Sequence, residues 1–110
     1  MIDETISRLE EKLQRSTAMN EQTRQELLSL LATLKTEASA LSRTHAQEAQ
    51  RIVGLTQAST NEATQQNRDS ERLAGSLADL SASVDGFEKS HPQLVHLVNR
   101  ISEILANLGI

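Results

Sequence analysis

The sequence predicts an all-α protein of antiparallel helical hairpins packed as a bundle. Coiled-coil-like heptads in its C-terminal third predict an oligomer as well. Three observations lead there. Large aliphatic residues recur at steps of three and four, the period of one helix face. Phe87 is the single aromatic residue, whereas sandwiches and barrels draw on many aromatic and β-branched positions. The 16 Leu, 6 Ile, 4 Val and 1 Phe make up a quarter of the 110 residues. That exceeds the roughly 20% below which disorder is the default.

One helical domain over 1–110 accommodates five segments. In 1–15, Ile2, Ile6, Leu9 and Leu13 form one stripe. Asp3 and Glu4 suit its positive N-terminal end, and Glu4/Arg8 and Glu11/Arg15 are spaced as i,i+4 pairs. Asn20 is an N-cap for 20–42, whose wide face of Leu27, Leu28, Leu30, Leu31, Leu34, Ala38 and Leu41 predicts burial by more than one neighbour. Thr44-x-x-Gln47 resembles a capping box opening a weaker segment, 44–66, with the stripe Ala49, Ile52, Val53 and Leu55. Gly54 weakens that helix by roughly 1 kcal/mol relative to Ala. Within 56–70 only Ala58 and Ala63 are apolar. The plainer reading is a polar linker or frayed end. The sharper one is a helix with an Ala/Ser/Thr seam that lets a partner approach closely.

Helices are predicted over 70–90 and 92–108. Leu73, Leu77, Leu80, Val84, Phe87, His91, Leu94, Val98, Ile101, Leu105 and Leu108 alternate steps of four and three without a slip. This stripe is the candidate interaction face. Val95, Leu97 and Ile104 widen it, Gly109 suits the left-handed C′ position, and Ile110 can fold back at C″. Pro92 interrupts the pattern. An unbroken helix over 70–108 would be about 58 Å long, against a radius of gyration of about 13 Å for a compact chain of this length. Either the chain breaks at His91-Pro92, with Ser90-x-x-Gln93 capping a new helix that Pro92 enters in its first turn, or the helix kinks and pairs with a second chain. Local chemistry favours the break, heptad phase the kink; the break is preferred here. In both cases slender helices bury little surface in one chain, and a homodimer or higher homo-oligomer is expected.

Charge and composition narrow the function classes. Residues 1–55 hold eight acids and seven bases, residues 56–110 seven and four, for a net charge of −4. With no basic run and no aromatic platform, neither nucleic acid nor an anionic membrane is an expected partner. The absence of Cys removes disulfides, thiolate metal sites and Cys nucleophiles. The acidic start lacks the apolar region of a signal peptide, and the longest apolar stretch, 27–34, is far short of a bilayer span, so a cytoplasmic location is expected.

Candidate chemistry is sparse. His45-x-x-Glu48 places two metal-ligand types on one helical face, and Glu62 could join them. Di-metal carboxylate bundles, however, need two Glu-x-x-His pairs in the opposite order and further Glu. A solvated face is the simpler account. His91 in a heptad core position reads either as a pH-sensitive or register-setting polar residue, or as a local cap for the helix entered at Pro92. His96 faces elsewhere. No Gly-x-Ser-x-Gly or Gly-rich phosphate loop exists. No catalytic residue, metal ligand set or cofactor is assigned, and a non-enzymatic scaffold, adaptor or regulator is expected. The alternative is a metal-binding or catalytic bundle using His45 and Glu48.

The motif Phe87-Glu88-x-x-His91-Pro92-x-Leu94, followed by Asn99-Arg100-Ile101 and Leu105-Ala106-Asn107-Leu108-Gly109-Ile110, resembles the small bacterial proteins catalogued as domain of unknown function 4404. Leu9, Leu13 and Glu26-Leu27-Leu28 are similar in kind but less specific. The resemblance implies a bacterial, all-helical protein and carries over no activity and no catalytic residue.

Overall fold

Two helix starts in this chain are set by side-chain oxygens that accept the first free N–H groups. The computed structural model describes residues 2–108, and every regular element among them is a helix: α1 (Ile2–Arg15), α2 (Glu21–Ser42), α3 (Ala46–Thr64), α4 (Ser70–Ser83) and α5 (Pro92–Leu108). Gly109 and Ile110, the expected end of the last helix, lie outside the described residues.

Asn20 caps α2 by accepting from Thr23 N at 2.8 Å. Asp69, which the sequence reading did not single out, caps α4 by accepting from Glu71 N and Arg72 N at 3.0 and 3.1 Å. The Thr44–Gln47 capping box does not form. The Thr44 hydroxyl donates to Leu41 O at 3.3 Å and lies 2.8 Å from His45 Nδ1, and His45 occupies the cap position without a side-chain cap bond. At the α1–α2 turn, Arg24 folds back from α2. It donates from Nε to Leu13 O at 3.0 Å and from Nη2 to Ser16 O, satisfying carbonyls at the α1 end. Hydrogen bonds from Gln25 and then Arg24 hold the exposed Glu21 carboxyl below its usual range. The expected Glu4/Arg8 and Glu11/Arg15 pairs do not close into salt bridges among the described residues. α1 is tied across instead, by Lys35–Glu10 at 2.9 Å and Ser39 Oγ to Asp3 Oδ1 at 2.6 Å.

The α2–α3 hairpin is the middle of the fold. α1 packs against both of its helices on one side; α5 packs against both on the other, with α4 against α3 and α5. α3 alone touches all four other helices. Ile6, Leu13, Leu27, Leu31, Leu34, Leu41, Ile52, Leu80, Leu94, Ile101 and Leu105 are the large, fully buried side chains of one continuous core.

Two expectations are corrected. The polar stretch 56–64 is helix rather than linker, and its threonine hydroxyls are satisfied inside α3. Thr56 donates to Ile52 O at 2.8 Å and Thr60 to Thr56 O at 2.7 Å. Thr56, Ser59 and Thr60 lie buried with Ala49 and Ala63, Ser59 Oγ without a hydrogen-bond partner among the described residues. Only 65–69 is a connector. The helix expected over 70–90 stops at Ser83. Gly86 adopts φ +95°, its N–H donates to Glu88 Oε2 at 2.8 Å, and His91 N donates to Phe87 O at 2.7 Å, so 84–91 is a stack of turns. The signal for this was Asp85-Gly86, a turn dipeptide. Ser90 makes no capping bond to Gln93; its Oγ meets His91 Nδ1 at 2.9 Å. Pro92 is the first residue of α5, where its missing N–H costs nothing. The longest dimension of the chain is 37 Å, which leaves no room for an unbroken helix of about 58 Å.

Two substitutions test this architecture by urea unfolding. Ala63→Leu, at the buried seam of α3, is expected to cost about 1–3 kcal/mol through overpacking. Gly86→Ala meets no atom within 4 Å, yet is expected to cost about 1–2 kcal/mol, because an L-residue resists the left-handed conformation. A wild-type midpoint in the second variant would mean that the 84–91 turn is built differently.

Candidate functional site

Three rings meet where the α2–α3 turn faces the α4–α5 connection. His45 and Phe87 have centroids 5.4 Å apart, Phe87 and His91 5.6 Å, and His45 and His91 6.3 Å, all edge-to-face. That is the preferred arrangement for aromatic pairs. Each ring is half-buried.

The backbone explains why they converge. His45 closes α2 by donating from N to Leu41 O at 2.8 Å, and opens α3 by accepting from Ala49 N at 3.0 Å. His91 does the same between the 84–91 turns and α5, accepting from Val95 N at 3.3 Å. Both imidazoles thus stand at helix entries on one end of the bundle. Each commits Nδ1 to the hydroxyl of the preceding residue, Thr44 or Ser90. Nε2 of each has no protein partner among the described residues.

His45 and Glu48, the pair considered from sequence, stand three residues apart at the start of α3. His45 turns to Phe87 and His91, and Glu48 is exposed. Glu62 lies near the other end of α3, 3.9 Å from Arg72. Among the described residues no three of His, Asp and Glu are grouped to hold an ion. His91 is neither deep in a core nor in a seam between straight helices; it is half-buried, and its backbone carbonyl receives the first turn of α5. The approach of His45 to His91 was not legible in the sequence, because 46 positions separate them and no local pattern links them.

The candidate interaction face is divided. Leu73, Leu80, Val84, Leu94, Val98, Ile101 and Leu105 are buried in the chain's own core. Leu77, Phe87, His91 and Leu108 remain half-covered. Outside the stripe, Arg100 clasps Glu26 of α2 at 2.7 Å and Glu103 at 3.1 Å. These carboxylates, Glu26 foremost, raise the proton affinity of its guanidinium further. No described helix is long and apolar enough to cross a membrane.

Proton NMR of the imidazole C–H signals tests the corner. In Phe87→Leu the signals of His45 and His91 should move as the ring current is lost, while that of exposed His96 stays in place. Unmoved His45 and His91 signals would show that the rings do not meet.

Comparison with protein-family models, with curated proteins and with solved structures finds no match to this chain.

Proposed function

We propose that this protein is a non-enzymatic helical adaptor or scaffold that works through protein–protein contacts and self-associates, most simply as a homodimer. The observation that carries the reading is the part of the Leu73–Leu108 stripe that one chain leaves uncovered. Leu73, Ala74 and Leu77 of α4 and Ala106 of α5, with Ser70, line a shallow groove of about 120 Å³. That is room on the scale of one aliphatic side chain, and no charged residue lines it. Half-buried Leu77 and Leu108 stand on the same two helices. A two-fold dimer would bring each copy's groove against the same patch of the other, as an isologous interface requires. Membership of the bacterial family that the C-terminal motif resembles, a cytoplasmic location, and partners that are neither nucleic acid nor membrane belong to the same reading.

Light scattering over a concentration series tests it. The wild-type chain should rise from 12.1 kDa toward twice that mass. Ala74→Glu should hold it at the monomer mass with an unchanged thermal midpoint, since Ala74 is exposed and lies in the N-terminal half of α4, where an acid is tolerated. A wild-type chain that stays at 12.1 kDa at high micromolar concentration removes the reading.

A further inference from the structure

A second concavity lies at the end of the bundle where α1 and α3 finish. Its walls are the last turn of α1, the α1–α2 turn, and the connector from α3 to α4, and its volume is about 490 Å³. Small-ligand sites commonly fall between about 300 and 1,000 Å³. The chain as a whole is acidic, with fifteen acids against eleven bases, yet three of the nine lining residues are basic and none is acidic: Lys12, Arg15 and Arg68. Gln65, Gln66 and Thr17 add polar groups.

Two of the cations are positioned by neutral acceptors. Lys12 Nζ donates to Asn61 Oδ1 at 2.7 Å, and Arg68 Nη1 donates to Ala63 O at 3.1 Å. Both side chains are exposed, and neither forms a salt bridge among the described residues. Arg15 has no hydrogen-bond or ion-pair partner among the described residues. Glu62 faces Arg72 and Asp69 caps α4, while Glu11, one turn before Arg15, forms no salt bridge with it. Cations at helix C-terminal ends also offset the helix dipole. That role accounts for their positions in the sequence; it does not account for their convergence on one concavity without a carboxylate.

We propose that this cleft binds a small soluble ligand bearing a phosphate or diphosphate group. Guanidinium forks and an ammonium match phosphate oxygens. Three cations outside any salt bridge suit a group carrying more than one negative charge better than a single carboxylate.

The test uses the full chain and inorganic pyrophosphate, by titration calorimetry and thermal shift, against sodium chloride at equal ionic strength. Saturable heat and a raised thermal midpoint are expected with pyrophosphate and not with chloride. Arg15→Gln and Lys12→Gln should each weaken binding by about tenfold, consistent with loss of one charge-assisted contact. Lys89→Gln, an exposed change in the 84–91 turns, should leave it unchanged. No saturable heat up to ~10 mM pyrophosphate, beyond the millimolar range of weak specific sites, overturns the proposal. So does wild-type affinity in Arg15→Gln with a lowered midpoint, the result expected of a helix-end counter-charge alone. Retention on phosphatidylglycerol vesicles without any response to pyrophosphate overturns it too, in favour of a lipid surface.

Discussion

The fold depends on how closely other helices can approach α3. Four neighbours pack against this one helix, and a helix contacted on so many sides must be thin where they meet. Its C-terminal half supplies Thr56, Ser59, Thr60 and Ala63, all fully buried. Buried hydroxyls are ordinarily costly. Here the threonines return their hydrogen bonds to carbonyls one turn back, so the side chains behave toward their neighbours as small apolar groups. The N-terminal half uses larger residues, Ile52 and Val53, so the same helix is wide at one end and narrow at the other.

The second constraint acts at 84–91. Continuing α4 into α5 would put Pro92 inside a helix at roughly 3 kcal/mol, with about 1 kcal/mol more for Gly86. Folding back avoids both penalties. It also turns one long heptad stripe into two short ones, on α4 and α5, that face the same core. Most of the stripe is thereby buried without a second chain. Only Leu77, Phe87, His91 and Leu108 of the stripe remain half-covered.

α3 also separates the two concentrations of chemistry. His45 stands at its start, facing Phe87 and His91; Thr64 closes its end, beside Lys12, Arg15 and Arg68. Nineteen residues at 1.5 Å each put these ends about 28 Å apart. The ring corner joins the α2–α3 turn to the α4–α5 turns, and the basic cleft joins the α1–α2 turn to the α3–α4 connector. All four connections are therefore gathered in pairs at the two ends, where loops can vary while the helical core holds them in place.

Much of the architecture was legible in the sequence. The stripes of α1, α2 and α5, the Asn20 cap and the need for a break near Pro92 are local properties, written in residues three and four apart. The end of α4 was legible too, in Asp85-Gly86, but the heptad phase running across it pointed the other way. The helical state of 56–64 could not be read locally, since a row of Thr, Ser, Ala and Asn suits a linker equally well; burial within the bundle decided it. The ring corner and the basic cleft belong wholly to the tertiary structure. Residues 45 and 91, or 15 and 68, have no shared period, and only the antiparallel return of the chain brings them to one place. Periodicity encodes which face of a helix is buried. Which faces meet, and what their ends bring together, follows from packing alone.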